Sequence, residues 1–240
     1  MKLSFNQTYS NDRKILLEAR LRDKKFIEFL SFFDINIFSF HNCNDNILDF
    51  FKNIKNKIPN VKIHINNNIS YTQCIRRLLR IVETLNVKHF FFYQDDTFSC
   101  DNNISFDGLL NYVFKQNDIM LTLYERKEFF EDGTVLLESF DDLDLYSNNT
   151  ENFVKHNRWS FDDSPYICTT NYLSQIYDEN YLNHSDVWSA ECYNNFKFKT
   201  SPINRYITNK SLFKNYNFIG RNNWNKDEEI KTLKEKNILP

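Results

Sequence analysis

Polar and apolar positions alternate in two registers along the first half of the chain. Lys2–Tyr9 is predicted as a short strand. Asp12–Phe33 is predicted as a helix, with Asn11 or Asp12 as its N-cap. Ile35–Phe40, INIFSF, is predicted as a strand, and Asn44–Lys57 as a helix with apolar positions at Ile47, Leu48, Phe50, Phe51 and Ile54. Pro59 and Asn60 close that helix, and Val61–Ile65 alternates as a strand should. Ser70–Asn86 is predicted as a helix, because Ile75, Leu78, Leu79, Val82 and Leu85 form one stripe while Arg76, Arg77 and Arg80 lie off it. The run HFFFY at His89–Tyr93 is apolar without a break and too short for an isolated helix. In a βαβ chain such a run is a central strand covered on both faces. Phe106–Lys115 and Asp118–Tyr124 add one more helix and strand. This alternation predicts an α/β fold, a three-layer α/β/α (Rossmann-like) domain with a mainly parallel central sheet.

Beyond residue 125 the pattern loosens. Phe129-Phe130 and Val135–Leu137 flank Glu131-Asp132-Gly133, which reads as a hairpin with an Asp-Gly turn. Phe140–Tyr146 is acidic and is expected at the surface. Trp159–Cys168 and Val187–Phe198 mix aromatics with acids, and Asp227–Asn237 is a charged helix. The expectation is one domain over residues 1–240, with a ligand-binding half at 1–125 and a second half at 126–240 ending in that helix.

Composition narrows the function classes. A net charge of −2 provides no basic field for nucleic acid or anionic membranes. No run of about 20 apolar residues exists to span a membrane. The N-terminus, MKLSFNQTYSNDRK, has no apolar leader. Five Cys at wide spacing, without CxxC, argue against a zinc site or a disulfide framework and for a reducing, cytoplasmic setting. Three Gly and two Ala against 24 Phe mark an AT-rich coding bias, so Asn66-Asn67-Asn68 carries little functional weight. The five His lack HxH or HExxH spacing and read as structural or surface residues.

Ligands of parallel sheets bind outside the carboxyl ends of the strands, and polar residues gather there: Thr8-Tyr9, His41-Asn42, Asn66-Asn67 and Gln94-Asp95-Asp96. Two adjacent carboxylates directly after a buried strand repel one another and are costly to desolvate. Mg²⁺ or Mn²⁺, which take hard oxygen ligands, would offset that cost; a solvated turn is the alternative. Guanidinium groups of Arg76, Arg77 and Arg80 suit diphosphate oxygens, or are simply solvated. Trp159, Asp162 and Asp163 form an aromatic–acidic loop suited to a sugar face, or a packed Trp beside an Asp-Ser-Pro turn. Asp186, Trp188 and Glu191 make a second acidic constellation, which is otherwise a helix start.

The order of these elements, ending in an Arg-bearing helix and FFFYQDD, resembles the GT-A glycosyltransferases. These are the nucleotide-diphospho-sugar transferases, here in a family-2-like form, and the resemblance spans roughly residues 1–200. It implies an acidic DxD-type site in which Asp96 ligates Mn²⁺ or Mg²⁺ and Asp95 touches the ribose or supports the site. Gln94 departs from the DxD pattern, which leaves the adjacent-acid form. The resemblance also implies nucleotide-sugar binding by Thr8, Tyr9, Arg76, Arg77 and Arg80, with Tyr9 stacking on a base. Asp45 is either a base contact or a helix cap. Glu191, then Asp186, is the candidate base for an inverting transfer, and Trp159, Asp162, Asp163 and Trp188 face the acceptor. Arg221, beside Gly220, is a late basic residue for a phosphate.

The function expected on these grounds is metal-assisted transfer of a sugar from a UDP- or GDP-type donor to a hydroxyl acceptor such as a glycan. The alternative is a non-catalytic glycan- or partner-binding module on the same fold. A sugar-phosphate nucleotidyltransferase ranks lower, because NQTYSNDRK lacks the glycine-rich loop such enzymes place after the first strand.

Overall fold

The structure, a computed structural model, describes residues 1–8, 14–41, 48–67, 69–94, 97–100, 104–123, 134–141, 143–148, 165–200, 205–215 and 226–235. Its strands are β1 (Lys2–Thr8), β2 (Ile35–His41), β3 (Val61–Asn66), β4 (His89–Gln94), β5 (Thr97–Ser99), β6 (Met120–Thr122), β7 (Thr134–Phe140), β8 (Leu143–Asn148), β9 (Tyr166–Thr169), β10 (Arg205–Thr208) and β11 (Phe213–Asn215). The helices are α1 (Lys14–Arg20), α2 (Lys24–Ser31), α3 (Leu48–Lys57), α4 (Tyr71–Thr84), α5 (Asp107–Val113), α6 (Thr170–Ile176), α7 (Glu179–Leu182), α8 (Val187–Thr200) and α9 (Lys226–Glu235).

Nine strands form one sheet in the order β3-β2-β1-β4-β9-β6-β10-β8-β7. Strands β3, β2, β1 and β4 pair in parallel, as do β6 and β10. Strand β9 is inserted antiparallel between β4 and β6, and β8 runs antiparallel to both of its neighbours. The expected α/β sheet with a mainly parallel centre is present. Because side chains alternate across a strand, β4 feeds two cores. Phe91 and Tyr93 enter the layer with α1, α2, α3 and α5, whereas Phe90 and Phe92 enter the layer with α4, α6, α7 and α8. That explains the unbroken apolar run. In the first core Phe29 meets Phe33, Phe91, Phe106 and Phe213 at centroid distances of 4.7–5.6 Å, mostly edge to face.

Helix α4 begins where the pattern placed it. Ser70 and Gln73 form a capping box, with Gln73 N donating to Ser70 Oγ at 3.2 Å and Ser70 N to Gln73 Oε1 at 2.9 Å. Two expectations need correction. The helix expected over Asp12–Phe33 is two helices. Asp23 ends the continuity by capping α2, its carboxylate accepting Phe26 N at 2.9 Å, and a side chain that bonds the local backbone competes with helix propagation. The segment Val135–Leu137 forms a strand, as expected, and pairs with β8, with an irregularity between Leu136 and Glu138. The other arm and the turn of the expected hairpin, Phe129, Phe130 and the Asp132-Gly133 pair, lie outside the described residues. Finally, Phe140–Tyr146 is not merely surface: Leu143 and Leu145 are buried, because they pack into the core that holds Phe91, Leu110 and Phe213.

Candidate functional site

The four parallel strands change character at their carboxyl ends. Strand β1 passes from Leu3 and Phe5 to Asn6, Gln7 and Thr8; β2 ends in Ser39 and His41; β3 ends in Asn66; β4 ends in Gln94. All but Gln94 are buried, and buried polar groups need partners. Thr8 Oγ1 donates to Asn6 Oδ1 at 3.2 Å. Gln7 and Gln94 are register partners on neighbouring strands. The sheet thus presents a polar rim where the fold class places its ligands.

Two networks build this rim. The first grips the chain on both sides of Asp95-Asp96. Arg20, the last residue of α1, is 1% exposed. Its Nη2 donates to the carbonyl of Gln94, and its Nε donates to the carbonyl of Thr97 at 3.1 Å. The rings of Phe26, Tyr93 and Phe98 surround the guanidinium at 5.1, 5.2 and 5.8 Å to their centroids. One corner further along, the Asp23 carboxylate accepts Ser99 N at 2.9 Å and Ser99 Oγ at 2.7 Å. Strand β5 then pairs antiparallel with β11, Thr97 opposite Asn215. In the chain, β11 precedes Gly220 and Arg221, which lie outside the described residues.

The second network lies between β2, β3 and α4. Asn66 Nδ2 donates to Ser39 Oγ at 2.6 Å, and Arg77 Nη1 donates to Asn66 Oδ1 at 3.0 Å. Ser39 Oγ lies 3.3 Å from His41 Nε2 and 3.4 Å from Cys74 Sγ, and Cys74 Sγ lies 3.3 Å from His41 Nε2. Burial lowers the His41 pKa to about 4 and raises that of the Cys74 thiol, against an opposing hydrogen bond from Ser39. Both groups are neutral near pH 7, so this pair is a packed polar cluster and not a thiolate–imidazolium nucleophile.

The arginines of α4 do not converge. Arg76 forms an ion pair with Glu179 of α7 at 3.0 Å and donates to Asn183. Arg77 is held at β3 through Asn66, and Arg80 is exposed. Asp186 is exposed and caps α8, accepting Ser189 N at 2.8 Å and Ser189 Oγ at 2.7 Å. Those hydrogen bonds hold its pKa below the usual carboxylate value. Glu191, one turn into α8, is buried, and Trp188 is 58% exposed. Tyr9, Asp45, Asp95, Asp96, Trp159, Asp162, Asp163 and Arg221 lie outside the described residues. No group of three or more His, Cys, Asp or Glu is placed to hold a metal among the described residues. A cavity of about 550 Å³ lies elsewhere, near the amino end of β4, lined by Leu79, Val82, Leu173, Tyr177 and Leu182 among others. No helix among the described residues is long and apolar enough to cross a membrane.

Sequence reasoning missed Arg20, Asp23, Ser39 and Asn66. Arg20 carried a readable signal: it shares the apolar face of α1 with Leu16, Leu17 and Leu21, all buried, and an arginine is almost never fully buried without a partner. Asn66 was discounted within an Asn run, and only the pairing of β3 with β2 sets it against Ser39.

No protein-family model matches this chain. No curated protein matches it either. Solved structures share its fold. Staphylococcus aureus TarS 1-349 in complex with UDP superposes with a TM-score of 0.55 at 13% identity, and TarS 1-349 alone with 0.52 at 12%. In both cases 89% of this chain covers 60% of the other, so the chain spans well under two thirds of that protein's solved segment. A 4-diphosphocytidyl-2C-methyl-D-erythritol synthase from Anaerococcus prevotii superposes with a TM-score of 0.51 at 10% identity, covering 98% of this chain and 96% of that one. At such identities the likeness is one of fold.

Proposed function

We propose that the chain is a glycosyltransferase that moves a sugar from a nucleotide-diphosphate donor to a hydroxyl acceptor. The observation that carries this reading is the grip on the acidic pair. A buried guanidinium and a capping carboxylate hold the residues before and after Asp95-Asp96, at the carboxyl end of the central strand, on a fold similar to a protein solved with UDP.

In this reading Asp96 and Asp95 provide hard oxygen donors of the kind Mn²⁺ or Mg²⁺ prefers. A cation bound there would neutralise charge on the departing diphosphate. Thr8 and Tyr9 meet the base, and Asp45 lies near it. Arg77, already oriented by Asn66, is the α4 arginine best placed at the rim; Arg80 is its exposed companion, and Arg76 must first leave Glu179. Glu191 is the better candidate base, because Asp186 is committed to capping α8 and its depressed pKa makes it a weak proton acceptor. Trp188, with Trp159, Asp162 and Asp163, faces the acceptor.

A thermal-shift scan with UDP, GDP and CMP, each with and without Mn²⁺, tests the proposal. Stabilisation that needs nucleotide and metal together supports it, and Asp96→Ala abolishes that joint effect. Metal-dependent nucleotide binding that survives Asp96→Ala removes the assignment, and no response to any nucleotide favours the binding-module reading. The likeness of fold to the 4-diphosphocytidyl-2C-methyl-D-erythritol synthase, over nearly the whole of both chains, supports nucleotidyl transfer as a second reading. Pyrophosphate release from CTP or UTP in the presence of sugar phosphates separates it from sugar transfer.

A further inference from the structure

We infer that Arg20 is the positioning residue of the acidic pair: one buried guanidinium bonded to the carbonyls of Gln94 and Thr97 sets how Asp95 and Asp96 are presented to a divalent cation. The inference rests on the donor-site reading above.

Arg20 makes a costly choice. A guanidinium at 1% exposure forfeits its hydration, and replacing such a buried charge with a well-packed apolar side chain is often neutral or stabilising. Two of its hydrogen bonds go to the backbone carbonyls of Gln94 and Thr97, the residues that flank Asp95-Asp96 in the chain. The planar fork of arginine suits this task, since its donors have fixed relative directions, whereas a lysine ammonium is a point charge on a flexible stem. Phe26, Tyr93 and Phe98 fix the plane from three sides. Asp23 adds a second anchor at Ser99, and β11 a third along β5. The described residues on either side of the acidic pair are therefore fixed to the α1–α2 corner.

Outer residues that orient metal ligands typically contribute 10- to 100-fold to metal affinity. The test measures Mn²⁺ binding by the electron paramagnetic resonance signal of the free ion, with UDP present, in the wild-type protein and in Arg20→Lys and Arg20→Gln. Far-ultraviolet circular dichroism and melting temperature are read in parallel. The expected result is native spectra with Mn²⁺ binding weakened at least about tenfold in both variants, and UDP binding without metal unchanged. Wild-type Mn²⁺ affinity in a folded variant, even one with a lowered melting temperature, overturns the inference and leaves Arg20 a packing residue. Loss of the fold in both variants overturns it too, since a presenting role does not include the fold. If the wild-type protein itself binds no Mn²⁺ with UDP, the donor-site reading has failed, an outcome distinct from unchanged affinity in the variants.

Discussion

Strands β3, β2, β1 and β4 alternate with helices in the chain and lie side by side in parallel, whereas along β9, β6, β10, β8 and β7 the strand direction reverses three times. The parallel half is filled on both faces by large aromatics and branched residues, and buried polar residues gather at its carboxyl rim, with Ser4, Asn36 and His89 buried nearer the amino ends. In the other half the last strand exposes Val135, Leu136 and Leu137. The contrast separates two kinds of information. A strand covered by its own neighbouring helices carries its burial pattern in its local sequence. A strand wedged into a sheet from a distance carries burial set by partners the local sequence does not name.

The contrast can be broken or sharpened by substitution. Phe91→Ala, at the centre of the parallel half, is expected to cost about 3–5 kcal/mol in urea unfolding, because it removes the ring packed on Phe29, Phe33 and Tyr93. A cost near zero would mean that β4 is not the central strand. The polar rim is expected to respond to acid. The folded pKa of His41, about 4, lies below its ordinary 6.5. The stability it contributes is complete above 6.5 and is lost as pH falls, because the unfolded chain takes up the proton first. Falling from pH 6.5 to 4 removes about 3 kcal/mol, with His64 and His89, also lowered by burial, acting in the same sense. Stability measured against pH in His41→Gln should lose most of that slope; an unchanged slope would place His41 in water.

In the other half, Leu145→Ala is expected to cost about 2–3 kcal/mol, and parity with a surface substitution would detach β8 from the sheet. At the corner joining α1 to α2, Asp23→Ala should cost about 1–2 kcal/mol for the lost cap of α2, read as a lower urea midpoint. At the outer edge, Leu136→Lys should change stability by less than about 0.5 kcal/mol, since the side chain is 52% exposed. A large loss there would mean that β7 is covered in solution.

The same division governs what was legible. The βαβ alternation, the strand at His89–Gln94 and the Ser70 cap of α4 could be read because each depends on residues within one turn or one pleat of each other. Strand β9 could not be read: Tyr166–Thr169 has four residues, no period of its own, and an acidic–aromatic approach that resembles a loop. Its burial comes from Phe92 on one side and Leu121 and Thr122 on the other. The paired acids were visible as a motif, and the sequence on its own determined that they follow a buried strand end, the reason being the two-faced apolar run before them.

What holds them was decided only by tertiary structure. Arg20 stands 74 residues before Gln94 and Asp23 stands 76 before Ser99. Loop closure over such distances is set by the packing of α1 and α2 against the sheet, not by any local preference of the chain. The sequence alone thus specified an α/β sheet and an acidic strand end. The placement of a buried cation beneath that end came from the core that surrounds it, where three aromatic rings pack about the guanidinium and a low-dielectric setting strengthens its bonds to the two carbonyls.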